Sequence, residues 1–259
     1  MSSHTETPTQ LPPLPADGRW WGEHLQETRW QLELAQLLLD PVFGGSGVPR
    51  GDGRAVILMP GLGGGDQTLL VLAGWLQRLG YRPRVCGFVA NVGCSQTAME
   101  RVERQLEQIH GRDGRRVALI GHSRGGLYSR ALACRRPERV SHAIALGAGL
   151  RQMLAISYPT LVFVDTVRRR LLSTGRARSP RCMTAGCDCA FTRGMAGPFP
   201  QERVRLTSIY TKGDGVVRWQ AAVVPYGDCI EVTGSHAGLI VNRKAYRAIA
   251  AALAKPELP

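Results

Sequence analysis

Short apolar segments alternate with helical stripes of apolar residues from about residue 55 to the C-terminus. The apolar segments are continuous, which predicts strands buried on both faces and hence a mostly parallel sheet. The helical stripes between them supply the crossovers that parallel strands need. The sequence therefore predicts the α/β class, with a mostly parallel central sheet and helices on both faces. The six predicted strands cover residues 55–58, 84–86, 117–120, 143–146, 206–210 and 229–232.

Two of the predicted helices carry apolar residues at the spacing i, i+3, i+7, i+10. This spacing places the members of each stripe on one face, as expected for a helix that packs against a sheet. A further helix is predicted over about residues 243–253 at the end of the chain. The two stripes are Leu69, Leu72, Leu76 and Leu79, and Met99, Val102, Leu106 and Ile109.

The first 53 residues differ from this alternating pattern. Residues 1–18 are polar and rich in proline, and are predicted to form a disordered tail. They contain no apolar stretch typical of a secretory signal, so a cytoplasmic location is expected. Residues 19–53 are predicted to form an N-terminal helix and a Gly-rich linker, and residues 54–259 the sheet domain. The helix carries an apolar face formed by Trp30, Leu34, Leu37 and Leu38.

About 50 residues, from about 150 to 200, separate two predicted strands. This length is more than one crossover helix requires, and the segment is interpreted as an inserted cap. Residues 151–200 hold eight arginines, two aspartates and neither lysine nor glutamate, which is +6 of the chain's net charge of +13. One hypothesis is that apolar cap residues line a substrate pocket while the arginines meet an anionic surface or substrate. The alternative is a cap packed on the sheet with a solvated arginine face.

Composition and charge narrow the function classes. With 44% hydrophobic residues the chain is not a largely disordered protein. No apolar run approaches the ~20 residues that a membrane-spanning helix needs. The excess of 33 Lys and Arg over 20 Asp and Glu could suit nucleic acid, but only 6% of residues are aromatic. Nucleic acid is therefore not the favoured partner.

Seven cysteines leave at least one without a partner in the chain. Cys182, Cys187 and Cys189 lie in the insert, and Cys229 lies in the last predicted strand. Three interpretations stay open for them: free thiols, a disulfide from Cys187 or Cys189 to Cys229, and a zinc site. The spacing contains only one C-x2–4-C step, which disfavours zinc.

The first candidate catalytic residue lies in a G-x-S-x-G motif between a predicted strand and a predicted helix. The motif is Gly121-His122-Ser123-Arg124-Gly125. In this context the motif forms a tight turn that exposes the serine hydroxyl at the carboxyl edge of the sheet. The glycines let the strand and the helix approach each other closely. Ser123 is therefore the predicted nucleophile, and the alternative is a structural turn serine.

A serine nucleophile needs a base and an acid that orients the base. Asp214 follows the predicted strand at 206–210, and His236 follows the strand at 229–232. Both are predicted to lie at the same sheet edge as Ser123, in the chain order serine, acid, histidine. Asp165, Asp228 and Glu231 are weaker candidates for the acid, because none of them directly follows a strand.

Acyl transfer also needs backbone N–H groups directed at the oxyanion, each worth roughly 3 kcal/mol. One is expected from Arg124, the residue after the nucleophile. The other is expected from Leu62, in the Gly-rich loop 60–65 after the first strand, with Gly61 as its neighbouring alternative. The loop could instead bind phosphate, but it lacks the G-K-[ST] ending of a P-loop.

Together these motifs resemble the α/β-hydrolase superfamily, and in particular its bacterial lipase and esterase-like members. The resemblance spans about residues 55–253, including the acid loop 208–217, the histidine loop 234–239 and the segment 91–93. Pro60 stands where many relatives have a histidine. The resemblance implies attack by Ser123, an acyl-enzyme, and hydrolysis by a water that His236 activates. It implies neither a cofactor nor a metal.

The sequence thus predicts a serine hydrolase that cleaves carboxylic esters, acting on a small-molecule or lipid ester. The same three side chains would also serve an acyltransferase, a thioesterase or an amidase. A non-catalytic binding protein on the same fold is the alternative of another class. The oligomeric state is left open.

Overall fold

The computed structural model describes residues 21–22, 24–184 and 186–259, so the predicted tail at residues 1–18 lies outside the described residues. Six strands form one sheet in the order β2-β1-β3-β4-β5-β6, and every neighbouring pair is parallel. The predicted parallel sheet is therefore confirmed. The strands are β1 (Ala55–Met59), β2 (Arg82–Val85), β3 (Val117–His122), β4 (Val140–Leu146), β5 (Arg205–Tyr210) and β6 (Asp228–Glu231).

Helices cover both faces of the sheet, as the sequence predicts. One apolar cluster joins α3 and α4 to the face of β1 that carries Ile57 and Met59. A second cluster joins α2 and α7 to the opposite face, which carries Val56 and Leu58. The helices are α1 (Trp30–Leu39), α2 (Leu70–Arg78), α3 (Ser95–Asp113), α4 (Arg124–Arg135), α5 (Tyr158–Ser173), α6 (Ala190–Ala196) and α7 (Arg243–Leu253).

The strand predicted at 84–86 begins two residues earlier and ends one residue earlier, at Arg82–Val85. It pairs with β1 on one side only, and its side chains are mostly exposed. Backbone pairing rather than burial defines an edge strand, so the apolar pattern misplaces it. Pro83 fits here because a proline lacks the N–H group that a central strand would use.

The insert between β4 and β5 contains α5 and α6. Helix α6 packs against α4, where Arg130 Nη1 donates a hydrogen bond of 2.6 Å to the Gly194 carbonyl. Arg169 and Arg170 of α5 are exposed, Arg168 is half-buried, and Arg169 pairs with Asp165 at 2.6 Å across one helical turn. An arginine face in contact with solvent, one of the two interpretations of this segment, is present.

The apolar face predicted for the N-terminal helix is wrong in part. Of its four residues only Leu37 is fully buried, whereas Trp30 is 41% exposed and Leu38 51% exposed. Glu33 is buried in their place, at 8% exposure. The helix is turned about its axis because the Glu33 carboxylate, rather than another leucine, enters the protein.

None of the helices in the described part of the chain is long and apolar enough to cross a membrane.

Candidate active site

The predicted nucleophile occupies a sharp turn between β3 and α4. Ser123 has φ 52° and ψ −118°, a conformation that a residue with a side chain adopts only where the surrounding structure enforces it. Its backbone N–H donates to the Leu146 carbonyl at 2.7 Å, which ties the turn to β4. This strained geometry is the one that the G-x-S-x-G motif predicts.

The two glycines of the motif are required by close backbone packing. A Cβ at Gly121 would overlap the backbone of Gly125, and a Cβ at Gly125 would overlap that of Met59. Direct backbone contact therefore joins the end of β3, the first turn of α4 and the end of β1. This contact carries Ser123 to the carboxyl edge of the sheet.

Asp214 and His236, which lie on the loops after β5 and β6, meet at the same edge. His236 Nδ1 and Asp214 Oδ2 are 2.7 Å apart, and both side chains are buried. The other oxygen, Oδ1, accepts backbone N–H groups from Val216 at 2.9 Å and Val217 at 2.7 Å. The carboxylate is thus held in one orientation, with one oxygen left for the histidine ring.

Beneath this pair the backbone of Gly147, just after β4, passes very close. A Cβ there would lie 3.0 Å from His236 Nδ1 and 3.2 Å from Asp214 Oδ2, and Gly147 has φ 58°. A side chain at position 147 would therefore disturb both partners. Glycine at this position lets the aspartate and the histidine meet without strain in the backbone beneath them.

The pKa of His236 is set by opposing effects. Burial, the largest single effect, disfavours its charged form, but the charge and hydrogen bond of Asp214 together with the charge of Glu27 outweigh burial, so the pKa lies above the ordinary value of 6.5. The nearby His122 ring, 4.8 Å away between centroids, has its pKa lowered to about 3 by burial and by His236. His122 is therefore neutral, and its Nε2 donates to the His236 carbonyl at 3.0 Å.

The Gly-rich loop lies beside the turn, where both predicted oxyanion donors, Leu62 and Arg124, line the same cavity as Ser123. In the part of the chain that the structure describes, neither backbone N–H is bonded to a protein acceptor. Their assignment to an oxyanion stays a prediction. Gly61, the alternative, packs on Ser123, because a Cβ there would lie 3.2 Å from Ser123 Cβ.

Asn91 links the Gly-rich loop to α4. Its Nδ2 donates to the Pro60 carbonyl at 2.8 Å, and its Oδ1 accepts from the Tyr128 hydroxyl at 3.2 Å. The Arg124 guanidinium donates to the Asn91 carbonyl at 2.9 Å and to the Gly93 carbonyl at 2.7 Å. The segment 91–93, which the sequence singles out by resemblance, therefore holds the loop and the helix together.

A cavity opens at Ser123 between the sheet edge and the insert. Side chains of the insert form much of its wall. A cavity with a mostly apolar lining suits an apolar group of a small molecule. Its apolar lining includes Leu62, Leu127, Met153, Leu154, Ile156, Val164, Phe191, Val216 and Val217.

All seven cysteines are free, so the disulfide from the insert to Cys229 is not formed. The Cys229 thiol instead donates to the Val224 carbonyl at 3.4 Å. Cys182, Cys187 and Cys189 line the cavity near Ser123. The described residues contain no group of three or more His, Cys, Asp or Glu side chains placed to hold a metal ion.

The weaker candidates for the acid are engaged elsewhere. Asp165 pairs with Arg169 on α5, Asp228 with Lys255 at 2.7 Å, and Glu231 with Lys212 at 2.9 Å. Ser123, Asp214 and His236 are the predicted side chains that the structure brings to one edge.

Sequence reasoning missed Glu27 and Glu33, which bind the loops that carry Asp214 and His236. The one signal was a glutamate at position 33, four residues before Leu37 and so on the same helix face.

Comparison with known proteins gives a match in structure alone. No protein-family model and no curated protein matches the sequence. The mature form of Bacillus licheniformis lipase BlEst2 matches at 15% identity with a TM-score of 0.56, over 79% of this chain and 94% of that chain. A monoacylglycerol lipase of Paleococcus ferrophilus matches at 16% identity with a TM-score of 0.54, over 80% of this chain and 96% of that chain.

A third neighbour is MGS-MChE2, an alpha/beta hydrolase enzyme from the metagenome of sediments from the lagoon of Mar Chica, Morocco. It is 19% identical with a TM-score of 0.52, over 77% of this chain and 90% of that chain. Four findings indicate the same fold: the parallel sheet, the helices on both faces, the strained turn after β3 and the similarity to these neighbours. The chain has the α/β-hydrolase fold.

Proposed function

We propose that this protein is a serine hydrolase that cleaves carboxylic esters. The observation that carries the proposal is the buried Asp214–His236 pair at the same sheet edge as the strained Ser123. In this mechanism His236 takes the proton of Ser123 as the hydroxyl attacks the ester carbonyl. The backbone N–H groups of Leu62 and Arg124 stabilise the oxyanion.

The second half of the reaction uses the same groups. Collapse of the tetrahedral intermediate forms an acyl-enzyme on Ser123, and His236 gives its proton to the leaving alcohol. His236 then takes a proton from a water molecule as that water attacks the acyl carbon, and it returns the proton to the Ser123 oxygen as the bond to the acyl group breaks and the acid is released. Asp214 keeps the ring in the tautomer that presents Nε2 to the reacting groups and stabilises its positive charge. No step requires a metal or a cofactor.

The cavity supports an ester with an apolar acyl group. The surface of its wall is mostly apolar, and residues 150–200 act as a cap over it. The structural neighbours with lipase in their names fit the same substrate class. The exposed arginines of the cap lie outside the cavity, so an anionic surface or substrate would meet the outer face of the cap rather than the reacting ester.

A panel of p-nitrophenyl esters of increasing acyl length tests this proposal. We expect kcat/KM to rise by about fourfold for each added methylene, because each buried methylene is worth about 0.8 kcal/mol, until the cavity is full. Val164→Trp should shorten the preferred chain, because Val164 lines the cavity. Val162→Trp is the matched control, because Val162 is 48% exposed on the same helix.

Labelling of Ser123 by a fluorophosphonate, located by peptide mass spectrometry, is the second part of the test. No turnover of any ester together with no labelling of Ser123 would refute the hydrolase assignment. Faster turnover when an alcohol or amine is added would instead assign an acyltransferase.

The pH dependence should report His236. As a base it works only when neutral, and its raised pKa means that protonation sets in above pH 6.5. We expect kcat/KM to be low at pH 5.5 and to rise through a one-proton step with its midpoint above 6.5. His122 has a pKa of about 3 and does not titrate in this range. Circular dichroism at each pH confirms that the protein stays folded, and a flat profile from pH 5 to 8 contradicts the assignment of His236.

A further inference from the structure

Two carboxylates from the N-terminal segment lie against the loops that carry Asp214 and His236. Glu27 belongs to a 3-10 helix over His24–Arg29. Its Oε1 accepts the backbone N–H of Gly215 at 2.9 Å and that of His236 at 3.1 Å. Its Oε2 accepts the N–H of Ala237 at 2.7 Å. One side chain thus bridges the acid loop and the histidine loop.

Glu33, on α1, binds the histidine loop and Asn242, the residue before α7, but not the acid loop. Its Oε1 accepts from both the N–H and the hydroxyl of Ser235 at 2.8 Å, and its Oε2 accepts from Asn242 Nδ2 at 2.9 Å. A Cβ at Gly234 or Gly238 would overlap this carboxylate. The histidine loop is therefore shaped around Glu33.

The atoms that Glu27 binds are close in the chain to the reacting groups. Gly215 directly follows Asp214, and the second N–H belongs to His236 itself. Hydrogen bonds to an ionised carboxylate are shorter and stronger than those between neutral groups. A carboxylate shared between two loops fixes their separation, and here that separation is the one between acid and base.

We propose that Glu27 is a positioning residue of the catalytic site, which holds the acid loop and the histidine loop in the register that aligns His236 with Ser123. The proposal rests on the proposed hydrolase function. It assigns the N-terminal segment, which precedes the sheet, a part in the chemistry at the sheet edge.

The charged and titratable groups around His236 come from four elements. Asp214 follows β5, Glu27 lies in the N-terminal 3-10 helix, and His122 ends β3. Glu33, on α1, contacts the adjoining Ser235. Burial disfavours the charged ring, while Asp214 and Glu27 both raise the pKa of His236. Removal of the Glu27 charge therefore lowers that pKa, and the acid limb of the rate profile moves to lower pH.

The test compares Glu27→Gln with Glu33→Gln in the full chain. Glutamine is isosteric, but its amide donates where Glu27 must accept, and it carries no charge. We expect Glu27→Gln to lower kcat by about tenfold to a hundredfold, because a small misplacement of a catalytic group has such an effect. KM should change by less than about twofold. The midpoint of the acid limb should move to lower pH.

Glu33→Gln is the matched control, because it removes a carboxylate from the same segment and the same loop. We expect it to lower thermal stability without moving the midpoint of the acid limb. Glu27→Asp keeps the charge but is one methylene shorter, so it should lose kcat and retain the midpoint. An equal shift of the midpoint in Glu33→Gln, or an unchanged kcat and midpoint in Glu27→Gln, would overturn the proposal.

Histidine NMR on the resting protein separates this proposal from the proposed function. The ring of His236, assigned with His236→Ala, is titrated in the wild type and in Glu27→Gln. A lower pKa in Glu27→Gln supports the positioning role, and an identical titration contradicts it. A wild type that hydrolyses no ester would refute the proposed function, while this titration would still decide the role of Glu27.

Discussion

Replacing Ser123 with alanine is expected to lower kcat/KM for an ester by a factor of about 10⁴ or more. The hydroxyl supplies the atom that forms the acyl-enzyme, and no other side chain occupies the turn between β3 and α4. The effect should appear in kcat with little change in KM, because the cavity that binds the acyl group is intact. Initial rates on the best p-nitrophenyl ester measure both constants.

Folding should be unaffected by this change. Ser123 is partly exposed, and its backbone, which carries the strain, is the same in the alanine variant. We expect an unchanged Tm and no fluorophosphonate labelling. Ser129→Ala is the matched control, because Ser129 lies on α4 and its hydroxyl reaches only the Gly125 carbonyl at 3.4 Å. Equal activity of Ser123→Ala and the wild type would show that the turn serine is structural.

Gly121→Ala is expected to destabilise the protein by about 3 kcal/mol, near the upper end for overpacking. The added methyl overlaps the Gly125 backbone, and backbone cannot rotate away as a flexible side chain can. In a chain of this length a loss of 3 kcal/mol lowers Tm by roughly 10 °C. Urea unfolding followed by circular dichroism measures the change. The strand and the helix must separate to make room, so residual ester turnover should fall as well.

Gly111→Ala provides the matched control for that change. Gly111 lies in α3, and a Cβ there meets nothing within 4 Å. Alanine is favoured over glycine inside a helix by roughly 0.5–1 kcal/mol, so this variant should gain stability. If Gly121→Ala were as stable as Gly111→Ala, the close contact at the turn would not exist in solution.

The strands and most helices were predictable from the sequence because their signals are local. The buried strands β1, β3 and β4 each contain a continuous apolar run, and α7 coincides with its predicted range of 243–253. The edge strand β2 was misplaced because one of its sides has no strand to pair with and little burial. A pattern of apolar residues carries little information about such a strand.

The candidate site was predictable to the extent that its residues follow strands. Asp214 and His236 each come directly after a strand, and parallel strands bring their carboxyl ends to one edge. The support of those loops was not predictable. Glu27 binds Gly215 and His236, which lie 188 and 209 positions away in the chain. No local sequence pattern predicts a contact between residues so far apart.

The sequence by itself determined the alternation of strands and helices, the turn at Ser123, and the order of the three polar candidates along the chain. These follow from spacing, glycine content and burial over a few residues. Only the tertiary structure decided the order of the strands in the sheet, the 2.7 Å contact of His236 with Asp214, and the hydrogen bonds of Glu27 and Glu33 to their loops. Those features join distant parts of the chain, and long-range packing rather than local preference selects them.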